Sequence, residues 1–150
     1  MTNNEILQII TGFVGSLGFA ILYNIRGKRL LFAALGGLFS WGLFIIFNKI
    51  IPNEALNYFL VAFIISVYAE IMARVLKTPT TTFITTSLIP LIPGGSLYYT
   101  MAYAFESDIE RFIQKAIYTL QLASALALGI IVATTLTKLI NNLLNTRNKI

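Results

Sequence analysis

"LIPLIPGGSLYY" spans residues 88–99 and lies in one of the most apolar parts of the chain. Pro90 and Pro93 each lack a backbone N–H, and each ring clashes with the preceding helical turn. Gly94 and Gly95 weaken a helix further. Apolar residues continue on both sides, from Phe83 to Phe105, a length suited to one membrane crossing of about 20 residues. The stretch therefore predicts a transmembrane helix interrupted near mid-membrane at Pro90–Gly95. Gly95 would lie about 18 Å along such a helix, just past the middle of a ~30 Å hydrocarbon core. Backbone groups freed there cannot face lipid, because each unsatisfied one costs several kcal/mol. The break has to be buried in protein or opened to a watery cavity.

Composition agrees. Of 150 residues, 57% are hydrophobic and 11% charged, and the mean hydropathy is +0.78. A soluble domain carries roughly 25% charged residues, so the solvent here is lipid. The chain reads as one all-α integral membrane domain over 1–150, with five transmembrane helices at approximately 6–25, 30–47, 55–75, 83–105 and 116–140. Glu5 stands where a signal peptide has a basic region, so the first segment is expected to be a span. Asn53, Thr78–Pro79 and Ser107 with Glu110 are helix-start signals. The last predicts a start near Asp108 and an apolar stripe of Ile109, Phe112, Ile113 and Ala116.

The chain has 11 Lys+Arg against 6 Asp+Glu. Arg26, Lys28, Arg29, Arg74, Lys77, Lys138, Arg147 and Lys149 fall at one set of span ends, and Lys49, Arg111 and Lys115 at the other. The positive-inside rule places the larger set in the cytoplasm. The N-terminus is then outside, the C-terminus cytoplasmic, and the chain multi-pass in the cell membrane. Because the basic residues track the bilayer boundary, no nucleic-acid partner is expected. Cysteine and histidine are absent, which excludes disulfides, thiolate metal sites and imidazole relays; no metal or cofactor is expected. Neither is an enzyme: Asp108 is the one aspartate and lies outside the core, and a serine would lack a base.

A second half-helix starting near Ser96 would present the amides of Gly94, Gly95, Ser96 and Leu97 and the positive end of its dipole. Both suit a carboxylate, and interrupted helices hold substrate in this way in secondary transporters. The alternative is a proline kink, bounded by Pro93, that packs against neighbours and binds nothing. Thr81 with Thr85, Thr82 with Thr86, then Ser96, Tyr99 and Tyr103 give both halves a hydroxyl-bearing side. Such groups either line a cavity or bond their own backbone. Glu70 is the one acid well inside a span, with Arg74 at i+4, the favourable order for an ion pair. The pair is either a gate or proton-coupling element or an interfacial anchor. Gly12, Ser16 and Ala20, Gly36 and Ser40, and Ala125, Gly129 and Ala133 predict close helix approach within the chain. Trp41 is assigned to core packing, and Gln121 and Ser124 could face a cavity.

"AEIMARVLKTPTTTFITTSLIPLIPGGSLYYTM" (69–101) closely resembles the signature region of the threonine/serine exporter family, and "ALGGLFSW" (34–41) resembles its second-helix pattern. The length is similar to that of the short subunit of two-component members, equivalent to the C-terminal half of the fused exporters. The resemblance implies a secondary-active exporter of small carboxylate-bearing metabolites, either threonine and serine or a dicarboxylate such as succinate. It implies a larger membrane subunit as partner, in an oligomeric assembly. Pro93, Gly94, Gly95 and Ser96 would then contact the substrate carboxylate, Thr86 and Tyr99 would add hydroxyls, and Glu70 and Arg74 would gate or couple. The competing reading is a non-transporting subunit that stabilises its partner.

Overall fold

A computed structural model describes residues 2–147; Lys149, counted above with the cytoplasmic set, lies outside them, as does the side chain of Arg147. The elements are α1 (Asn3–Leu22), α2 (Lys28–Ile50), α3 (Glu54–Val75), α4 (Thr80–Leu88), a 3-10 turn (Ile89–Leu91), α5 (Gly94–Phe105) and α6 (Ile109–Arg147). The protein is all-α, and α1, α2, α3 and α6 are each long and apolar enough to cross a membrane. The fourth expected segment is interrupted, but over 89–93 rather than Pro90–Gly95: helix ends at Leu88, the 3-10 turn carries Pro90, and helix resumes at Gly94 instead of near Ser96, so both glycines belong to its first turn.

Local chemistry sets the helix ends. Asn53 caps α3, its side chain accepting from the Leu56 N–H at 3.2 Å. Three C-termini close in the same way, with a left-handed residue after the cap: Asn24 (φ 57), Lys77 (φ 48) and Ser107 (φ 59). The next N–H then reaches back to satisfy an otherwise free carbonyl: Ile25 to Ala20, Thr78 to Ala73 and Asp108 to Tyr103. These closures correct three expectations. Helix α1 stops at Leu22 rather than Ile25. Ser107 belongs to the end of α5, and Asp108 caps α6 by accepting from the Arg111 N–H at 3.1 Å. Thr78 is not the cap of α4, because its hydroxyl donates to the Leu76 carbonyl at 3.0 Å and Pro79 holds the cap position. Helix α6 also runs on to Arg147 rather than Ile140, with no glycine or proline after Gly129 to stop it.

Helices α2 and α3 form the centre and pack on each other and on α4; α1 lies against α2, and α6 against α3 and α5. The small-residue stripes mediate the closest approaches. Side chains on Gly36 and Gly37 would collide with Ser87 of α4 and Ser16 of α1, and a methyl on Gly12 would sit 3.2 Å from Trp41 Cβ. On the other side, a methyl on Gly129 would lie 2.5 Å from the Phe59 carbonyl oxygen and 2.9 Å from Ala62 Cβ. Close contact between helices is thus bought within this chain by residues without bulk. Two apolar clusters fill what remains, one around Val61, Ile65, Leu91 and Leu122 and the other around Ala20, Ala33, Ala69 and Phe83.

Polar contacts sort the charged residues to two ends. At one, Lys49 pairs with Glu5 at 2.8 Å and Tyr118 donates to Glu54. At the other, Arg29 reaches the Leu76 carbonyl and Arg74 donates to Asn141 at 2.6 Å.

Candidate functional site

The interruption has three differently lined sides. Leu88 and Leu91 point inward and are buried in the cluster with Val61 and Leu122, which anchors the turn. Ile89 and Pro90 face a cavity of about 230 Å³ shared with Gln8, Thr11, Gly12 and Gly15 of α1 and Trp41 of α2. Trp41 stacks on Phe44 with ring centroids 5.1 Å apart, and its Nε1 is buried with no hydrogen-bond partner among the described residues. Packing is therefore half of what Trp41 does; it also forms a wall of this cavity. Gln8, Thr11 and Trp41 were not singled out as site residues by sequence, because the contact between α1 and the turn is tertiary.

The third side is the start of α5, and it is open. Gly94 and Gly95 are exposed, and a methyl added to either would meet no atom within 4 Å. Neither has a positive φ. Their use is not a special backbone conformation but a bare surface from which amides can be approached. The set of free amides is smaller than expected. The Gly94 N–H donates to the Ile92 carbonyl at 2.6 Å, and the Leu97 N–H to the Pro93 carbonyl at 3.0 Å. The Gly95 and Ser96 amides have no such partner among the described residues, and no side chain caps this helix. Two free N–H groups on adjacent residues, at the positive end of a helix of 12 residues, have the polarity that suits an anion.

The hydroxyls divide. Tyr99 is exposed on the open face, edge-on to Tyr98 with centroids 5.4 Å apart and near Tyr103. Ser96 is half-buried beside the free amides. Thr86 is fully buried and donates to the Thr82 carbonyl at 2.9 Å, so in this arrangement its hydroxyl serves its own helix. Thr85 likewise donates to Thr81, while Thr81, Thr82 and Thr85 line a groove shared with Tyr23 and Ile25. Gln121 and Ser124 lie on the outer surface of α6, where Ser124 donates to the Gln121 carbonyl.

Glu70 and Arg74 do pair, at 3.6 Å. The Glu70 side chain is 13% exposed and that of Arg74 49%. Arg74 also bonds Asn141, so the pair ties α3 to α6 and borders a small cavity of about 70 Å³ with Thr137 and Ile140. Among the described residues no group of acidic side chains is arranged to hold a metal ion.

A family model described as Threonine/Serine exporter, ThrE, matches residues 8–136. That range takes in most of α1, all of α2 to α5 with the interruption, and most of α6. No curated protein and no solved structure matches the chain.

Proposed function

The chain belongs to the threonine/serine exporter family, and from that premise we propose that it is a subunit of a secondary-active exporter of small carboxylate-bearing metabolites. The cargo is threonine and serine, or a dicarboxylate such as succinate. The carboxylate sits at the start of α5 on the amides of Gly95 and Ser96, with Pro93 and Gly94 shaping the approach and Tyr99 adding a hydroxyl. Thr86 joins only if its own-helix bond opens. The observation that carries the reading is that these two amides are unpaired beside two exposed glycines, with nothing within 4 Å of where a side chain on either would begin.

In this reading α4 and α5 together make a fourth crossing among five, and the end bearing Arg26, Lys28, Arg29, Arg74 and Lys77 faces the cytoplasm of a cell-membrane protein. The open side of α5, with Leu97, Tyr98, Tyr99 and Met101 exposed around the amides, is covered by a larger subunit of the same family. Free N–H groups cannot be left against lipid, and a second protein surface that encloses a watery cavity here would satisfy them.

Vesicles loaded with labelled threonine, serine or succinate test both parts. Efflux is expected from vesicles holding this chain with a larger membrane chain of the family, and none above background from either alone. Efflux from this chain alone would remove the partner from the proposal, and no efflux from the pair would remove the cargo.

Glu70 couples or gates movement at the cytoplasmic end. Glu70→Gln is expected to keep the fold, because the amide can still contact Arg74, yet to lose most of the dependence of export on an imposed proton gradient. An unchanged dependence would leave the pair as a strut between α3 and α6.

A further inference from the structure

A cleft of about 500 Å³ opens at the basic end, where the loop between α1 and α2 meets the loop between α3 and α4. Its size falls in the ~300–1,000 Å³ range of small-molecule pockets. Tyr23, Arg26, Arg29, Thr78 and Thr82 line it, and none of them is part of the interruption.

Neither guanidinium group is neutralised by a carboxylate among the described residues. Arg26 Nε donates to Asn24 Oδ1 at 2.9 Å, inside the loop fixed by the left-handed Asn24. Arg29 Nη2 reaches across to the Leu76 carbonyl at 3.4 Å, just before the left-handed Lys77. No carboxylate lies within ion-pair distance of either arginine among the described residues; the pairs there are Lys49–Glu5, Arg74–Glu70 and Arg111–Asp108. Thr82 faces them from α4, and its hydroxyl, unlike those of Thr85 and Thr86, makes no hydrogen bond to its own helix among the described residues. A groove of about 320 Å³ shares Tyr23, Ile25 and Thr82 with the cleft and continues along α4 past Thr81 and Thr85.

The surrounding field has one sign. Lys28 and Lys77 flank the cleft in sequence, and Glu70, the acid at this end, is already paired with Arg74. Glu5 and Glu54 stand at the opposite end with Lys49 and Tyr118. An open basic cleft of this kind raises the local concentration of anions, and two planar guanidinium forks match the geometry of carboxylates.

We infer that this cleft is a binding site for a small carboxylate anion, gripped by Arg26 and Arg29 with Thr82 as a further donor. It is a reception site, separate from the interruption, that gathers cargo at the cytoplasmic end; its direction of use rests on the exporter reading, but its binding does not.

Arginine modification in the full chain tests it, in nanodiscs of phosphatidylcholine where both ends are accessible. Phenylglyoxal adducts are counted by peptide mass spectrometry with and without succinate. Succinate is expected to slow adduct formation at Arg26 and Arg29 several-fold while Arg111, at the other end, reacts as before. Thr82→Val should weaken that protection, and Arg26→Gln, a change at an exposed side chain, should raise the Kd for labelled succinate about tenfold or more. Gly95→Pro should leave the protection intact. Equal adduct rates with and without succinate would overturn the site. So would protection by added phosphatidylglycerol on which succinate has no further effect, because the cleft would then hold a lipid headgroup. Protection in a chain that exports nothing even from vesicles that also hold the larger family chain would leave the cleft standing and remove the exporter reading.

Discussion

Gly95→Pro will sharply reduce export, while Gly95→Ala will leave it close to wild type. Proline removes one thing at this position, the amide hydrogen, and it is tolerated in the first turn of a helix, where that hydrogen has no helical partner. Alanine keeps the hydrogen and adds a methyl that meets no atom within 4 Å. The difference between the two variants therefore isolates the N–H. A hydrogen bond to a charged group contributes about 1.5–3 kcal/mol, so losing one of two should weaken carboxylate binding roughly tenfold to a hundredfold. Export by the two-chain vesicles, at matched complex levels, measures it. If the proline variant exports as well as the alanine variant, the start of α5 does not hold the cargo. That result with normal assembly would favour a purely structural subunit.

The second large effect is on stability. Gly129 of α6 lies against the backbone of α3, so the methyl of Gly129→Ala would press on the Phe59 carbonyl oxygen at 2.5 Å and on the Phe63 nitrogen at 3.1 Å. Backbone cannot swing aside as a side chain can. Overpacking of this kind costs about 1–3 kcal/mol, and Gly129→Leu would part the helices altogether. Gly18→Ala is the control, because its added methyl meets nothing, and glycine in a helix is about 1 kcal/mol worse than alanine. Thermal unfolding in detergent should show Gly129→Ala melting below the wild type and Gly18→Ala at or above it. Equal midpoints for the two variants would mean that α6 is free to slide on α3.

How far the sequence reached depended on the range of the interaction concerned. The interruption was legible because Pro90, Pro93 and the glycine pair act on their own backbone. The Asn53 cap was legible for the same reason. The helix ends at Val75 and Phe105 stand where they were read, but the left-handed closures at Asn24, Lys77 and Ser107 were not legible, since the closing residue is usually glycine and here it is not. That single habit accounts for the late stop expected for α1 and for the cap misassigned to Ser107 instead of Asp108.

The local geometry of the candidate site was legible only in part. Spacing marked Gly94, Gly95 and Ser96, but counting four free amides overlooked two that the bend itself consumes, at Gly94 and Leu97. Periodicity showed that Thr86 shares a side with Thr82; it could not say which side the core would claim. The approach of Gln8 and Thr11 to Pro90, and of Arg26 to Thr82, joins residues far apart in the chain. No local pattern encodes such a meeting.

The length of α6 has a mechanical meaning. Its 39 residues make a rod of about 58 Å, nearly twice the depth of oil it has to cross. Its tightest seat is the notch at Gly129 against α3, and α5 leans on it nearer the other tip. Such a rod is a lever with its fulcrum inside the bilayer. Because α5 rests on the same rod, with Thr100 3.2 Å from Thr119, a tilt of α6 about the notch would carry α5 with it.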